Sequence, residues 1–161
     1  MNRFLTVLLV AAVPAFAAPP APPPDIESLV RQVAELLALH ARGRQAHLRT
    51  DVDVLLSDAG EEFISVSGGR VSRITPAEER TFFTKYFKDA AYEEWDDLEP
   101  PIVRVSADGT MGWVITRLRV RRTQKDASGA AKETRFVYAG IMTYEKRDGR
   151  WVRVANVSTF E

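Results

Sequence analysis

The chain contains no cysteine. That excludes disulfides, thiolate metal sites, a cysteine nucleophile and a lipid-modified N-terminal cysteine. It has only two histidines, His40 and His47, and 22 basic residues balance 22 acidic ones. A protein that neutralises nucleic-acid phosphates needs a basic excess, so no nucleic-acid partner is expected. The apolar run at residues 4–13 is too short for a membrane span, which takes about 20 residues. There is no Gly-x-Ser-x-Gly elbow, phosphate loop or dinucleotide fingerprint. No cofactor is therefore expected, and no reaction is assigned.

The N-terminus reads as an export signal. Asn2 and Arg3 form a short positive start, residues 4–13 are apolar, and Ala15-Phe16-Ala17 is a small-x-small cleavage site. Residues 1–17 would be removed, leaving a periplasmic or secreted chain with no membrane anchor. Residues 18–24 hold five prolines, which neither form a helix nor pair in a sheet, and are read as an extended tether. Residues 25–161 form one domain.

That domain is organised around its last hairpin. Runs 134–146 and 151–160 flank Arg147-Asp148-Gly149-Arg150, and Asp-Gly between apolar runs is a strong hairpin signal. The first run is long enough to need a bend or bulge, expected near Gly140. Upstream, Asp25 can cap a helix over 26–48. Ile26, Val30, Val33, Leu37, His40, Arg44 and His47 form one stripe at helical spacing, widened by Leu29, Leu36 and Leu48. Glu27, Arg31, Glu35, Arg42 and Arg49 take the opposite face. The stripe turns from aliphatic to His, Arg, His in its last third, as expected where a buried face meets solvent or a polar cavity; Gly43 is expected to loosen the helix there. A short helix over 52–56, strands at 62–67 and 71–74, and a helix over 76–88 with an aromatic face follow. Strands at 92–98, 102–106 and 111–124 then lead into the hairpin. Pro100-Pro101 breaks the sheet between the first two. The order is that of an α+β fold: a curved antiparallel sheet wrapped around a long N-terminal helix.

Several stretches carry a resemblance: Leu39-His40-Ala41 to Ala46-His47, Glu62-Phe63-Ile64-Ser65-Val66, and Glu94-Trp95-Asp96-Asp97-Leu98-Glu99-Pro100-Pro101-Ile102. Ser106-Ala107-Asp108-Gly109-Thr110-Met111 and Arg147-Asp148-Gly149-Arg150-Trp151 complete the set. Over residues 26–160 the chain resembles the nuclear transport factor 2 (NTF2)-like superfamily, which includes SnoaL-like cyclases and ketosteroid isomerases, and within it an exported bacterial branch of unassigned function. The resemblance implies a cone-shaped α+β barrel, a cavity between helix and sheet, and a homodimer formed through the sheet.

Candidate site residues follow from both readings. His40 and His47 are seven apart, about 10.5 Å along a helix, where i, i+4 is the usual chelating pair. No metal site is expected. They are structural, or they line the mouth of the cavity. Arg44 between them would meet an anionic ligand or pair with Asp96 or Glu62. Trp95, Asp96 and Asp97 lie on one strand, so Trp95 facing in puts Asp97 in, and Trp95 facing out puts Asp96 in. Either acid would be the base of an isomerase-like reaction or part of a solvated edge. Tyr138 and Asn156 carry polar tips on neighbouring strands and would orient a ligand if both point inward. Arg117, Arg119, Arg121 and Arg122 on one strand are expected to meet acids across the sheet, such as Glu133 or Glu145. The expected partner is a small, largely apolar molecule. The alternatives are a cofactor-free isomerase, cyclase or lyase, and a non-catalytic dimeric interaction module.

Overall fold

The computed structural model describes residues 25–126 and 128–161. The expected signal and tether lie outside them. Helix α1, Ile26–Leu48, starts where Asp25 accepts a hydrogen bond from the Ser28 amide at 2.7 Å. Helix α2, Val52–Leu55, is capped in the same way by Asp51. The hairpin of β1, Ala59–Ser67, and β2, Arg70–Ile74, turns on Gly68 and Gly69. Helix α3, Pro76–Phe87, opens with a full capping box between Thr75 and Glu78 and a proline in its first turn. Then come β3, Ala90–Asp97, β4, Ile102–Val105, β5, Met111–Lys125, β6, Ala131–Arg147, and β7, Arg150–Phe160.

The seven strands form one sheet ordered β2-β1-β7-β6-β5-β3, with β4 also paired to β5. Strands β3 and β4 share one edge of β5, and the break between them falls at Pro100-Pro101, where no N–H is available for the ladder. The β6–β7 turn has positive φ at both Asp148 and Gly149, the geometry of a two-residue hairpin.

Three features differ from the sequence reading. The sheet is mixed, because β1 runs parallel to β7 while every other pair is antiparallel, and it stays open instead of closing into a barrel. The long crossover through α3 and five strands lets the last strand return beside the first in the same direction. The β6–β7 register shifts between Thr143 and Tyr144, not at Gly140. Gly140 serves another purpose: the side chain of Tyr138 lies over it, in the space a Cβ would need.

The third difference is the phase of α1. Ile26 and Val30 are 80% and 65% exposed, and Leu37 also faces solvent. The buried line is Gln32 and Leu36, with Val33 and Leu39 packed beside it. Leu36 reaches within 2.5 Å of where a Gly112 Cβ would stand, so the helix sits on β5 at a point only glycine allows. Glu35, expected outside, accepts hydrogen bonds from Trp151 Nε1 at 2.9 Å and Lys146 Nζ at 3.2 Å. The core has two parts. Leu36, Val103, Val114, Tyr144 and Trp151 pack under the first half of α1, and Ala46, Leu55, Phe87, Tyr92, Trp95, Leu118 and Val120 pack under α2 and α3.

Candidate functional site

The last third of α1 lies along the acidic end of β3. His40 Nε2 is 2.9 Å from Asp97 Oδ1. One turn later, Arg44 donates to the Trp95 carbonyl at 2.9 Å, to Asp97 at 3.0 Å and to Asp96 at 2.5 Å. The guanidinium thus reads three successive groups along the strand. The alternation is settled: Trp95 is buried, Asp97 turns toward the helix and Asp96 turns outward. Neither Asp96 nor Asp97 lines the cavity described next, so the expectation that one of them faces a ligand is corrected. Both carboxylates are taken up in fastening α1 to β3. Glu62, the other candidate partner of Arg44, pairs with Arg73.

Between α1, α3 and the concave face of the sheet lies a cavity of about 710 Å³. Its lining draws on both halves of the core, including Leu55 and Leu118 from one and Val114 and Tyr144 from the other. Of the residues singled out from sequence, His40, Arg44, His47, Trp95, Tyr138 and Asn156 border it. His47 stacks on Trp95 with ring centroids 3.7 Å apart and meets Phe83, Phe87 and Tyr92 edge-on. Its Nδ1–H donates to the Gly43 carbonyl at 2.9 Å, within a helix that Gly43 does not interrupt. Burial lowers its pKa to about 4, so the ring is neutral at pH 7. Asn156 donates to Tyr138 Oη at 2.8 Å, which leaves the phenolic proton free to be given.

Five charged residues at the cavity were not expected from sequence: Asp58, Arg73, Glu78, Glu79 and Arg153. Arg153, on β7, is 5% exposed. Its Nη1 donates to Glu79 on α3 at 2.8 Å, its Nε lies 3.4 Å from Asp58, and Phe63 packs against its guanidinium at 4.8 Å. Burial raises the pKa of both Asp58 and Glu79 against the pull of Arg153. The alternation along β7 already placed Trp151 and Arg153 on one face, and that was the one available signal. Two of the four strand arginines find acids: Arg119 and Arg121 both meet Glu94, and Arg121 also reaches the expected Glu133 at 4.0 Å. Arg122 packs on Tyr86 and donates to Tyr92. Among the described residues no cluster of His, Asp or Glu has the spacing of a metal site.

No protein-family model matches the chain, and no curated protein matches it by sequence. Solved structures do match in fold. A ketosteroid isomerase-like protein from Erwinia carotovora atroseptica superposes with a TM-score of 0.63 at 15% identity, covering 80% of this chain and 95% of that one. An NTF2-like protein from Novosphingobium aromaticivorans gives 0.58 at 18% identity, covering 80% and 81%. The fold is NTF2-like. Within that fold, a candidate calcium/calmodulin-dependent kinase II association domain from Exiguobacterium sibiricum is similar at a TM-score of 0.63 and 12% identity, covering 88% and 98%. These likenesses concern the NTF2-like backbone; a fold of this kind does not by itself carry an activity.

Proposed function

We propose that this protein binds a small, largely apolar molecule in the cavity between α1, α3 and the sheet. The cavity carries this reading: its volume of about 710 Å³ is in the range of small-molecule sites, and most of its wall surface is apolar although polar side chains interrupt it. His40, Arg44 and His47 shape one wall, Trp95 and the aromatic side chains of α3 another, and Tyr138 and Asn156 supply polar tips. N-phenyl-1-naphthylamine, a neutral apolar dye that fluoresces when it leaves water, tests the proposal. One saturable site per chain is expected, and it should vanish in Val114→Trp, which fills the cavity. Absence of saturable binding overturns the reading.

The buried carboxyls of Asp58 and Glu79 favour a second reading, a cofactor-free isomerase or lyase working by acid–base transfer. Two further features belong to the proposal. The protein is exported, so Edman sequencing of the mature form should begin at Ala18. It also forms a homodimer through the outer face of the sheet, where Ile102, Ile115 and Val157 are exposed around a shallow groove of about 480 Å³.

A further inference from the structure

His47 limits what can fill the cavity, given that the cavity binds a ligand at all. Its Nδ1 lies 2.9 Å from the Gly43 carbonyl, which can only accept, so Nδ1 carries the proton. The other nitrogen of a neutral imidazole is then a bare acceptor. Burial keeps the ring in that neutral form at pH 7. The ring is also fixed in place. It stacks on Trp95 and stands nearly perpendicular to Phe83, Phe87 and Tyr92, so Nε2 has no freedom to turn toward a partner elsewhere.

Nε2 has no hydrogen-bond partner among the described residues, and it is not among the side-chain atoms sealed from contact. Because His47 lines the cavity, this lone pair opens into it. The cations of the cavity do not supply the missing donor. Arg44 is spent on the Trp95 carbonyl, Asp96 and Asp97, and Arg73 meets Glu62. Arg153 has an unpartnered Nη2, but that atom is sealed, and Nη1 and Nε face Glu79 and Asp58. Glu78, exposed at the rim, is itself an acceptor, already taking the N–H and hydroxyl of Thr75.

We infer that the ligand carries a hydroxyl group on its apolar body, and that this hydroxyl donates its hydrogen bond to His47 Nε2. A lone pair covered by an apolar group loses its hydrogen bond to water and gains nothing, so a ligand O–H is favoured over a methyl group in the same place. An ether oxygen only accepts, and would set one lone pair against another. An ammonium would donate too, but it brings a full charge against mostly apolar walls at a high desolvation cost.

Four probes that share one ring system test this in competition with N-phenyl-1-naphthylamine. 2-Naphthalenemethanol donates and accepts, 2-methoxynaphthalene only accepts, 2-ethylnaphthalene does neither, and 2-naphthylmethylamine is cationic at pH 7. The first three are matched in size and uncharged. The alcohol is expected to bind about fivefold more tightly than the ether or the hydrocarbon, the worth of one hydrogen bond. In His47→Phe both ratios should fall to about one. A second readout uses the wild type alone. With nitrogen-15-labelled histidine, the Nε2 resonance of His47 should move upfield on saturation with the alcohol, well beyond its response to the hydrocarbon. Equal affinity of the three uncharged probes, tightest binding by the amine, an alcohol preference that survives in His47→Phe, or an Nε2 resonance that treats alcohol and hydrocarbon alike each overturns the inference and leaves the cavity reading standing. Failure of the dye itself to bind removes both readings together.

Discussion

His47 shows how a residue on a polar helix stripe becomes part of an aromatic wall. Its ring is enclosed by Trp95, Phe83, Phe87 and Tyr92, and its one strong bond, to Gly43, uses the neutral tautomer. With a folded-state pKa of about 4 against 6.5, the unfolded chain binds the extra proton first as pH falls. His47 therefore costs stability between about pH 6.5 and 4, up to about 3 kcal/mol in all. Asp58 and Glu79 act in the other direction, because raised carboxyls bind protons more tightly when folded. His47→Phe keeps the stack and removes the titration. Its urea midpoint should fall less between pH 7 and 5 than that of the wild type, or rise. Equal slopes would count against a buried neutral imidazole. Arg153 sets up a second test. Arg153→Met strips Glu79 and Asp58 of their shared cation and should cost about 3 kcal/mol, measured by urea unfolding at pH 7. Adding Glu79→Leu should recover part of that loss.

At the scale of elements, the two long parts of the chain were legible to different degrees. The β6–β7 hairpin follows from Asp148-Gly149 alone, because two consecutive residues at positive φ leave the strands only one way to turn. Helix α1 shows the limit. Its ends and its polar last third were readable, and the inward face of its first half only in part: Val33 and Leu36 lie inward as read, while Ile26 and Val30 do not. Aliphatic residues occupy two adjacent stripes there, and Gln32, buried at the packed face with a hydrogen bond to Ser28 Oγ at 3.3 Å, hid the true phase. What selects the stripe is the approach of Leu36 to Gly112 on β5. Strand β6 makes a similar demand at Gly140. Gly140→Ala would place a methyl group where the Tyr138 ring lies, and overpacking of this kind costs about 1–3 kcal/mol. The same substitution should cost less in a Tyr138→Leu background, as a double-mutant cycle in urea would show.

For the whole molecule, the open NTF2-like sheet has two unlike faces. The concave face is closed off by α1 and α3 and holds the cavity. The outer face leaves Ile102, Ile115 and Val157 uncovered in one contiguous row across β4, β5 and β7. The proposed dimer covers that patch. Light scattering should then return about twice the 18.0 kDa of the full chain, less the signal. Ile115→Asp should give the monomer with its dye site intact, since Ile115 points away from the cavity.

Local rules were enough for the identity and order of the elements, the helix caps, the proline break at the sheet edge and the place where α1 turns polar. Each depends on residues within a few positions of one another. The contents of the cavity depend on contacts between distant parts of the chain. Arg153 and Glu79 are 74 residues apart, and no pattern in either segment marks them as a pair. Tertiary structure also decided the fate of the acids at the end of β3. Side-chain alternation allowed either Asp96 or Asp97 to face inward, but the packing of α1 against that strand gave both carboxylates to Arg44 before any ligand could use them.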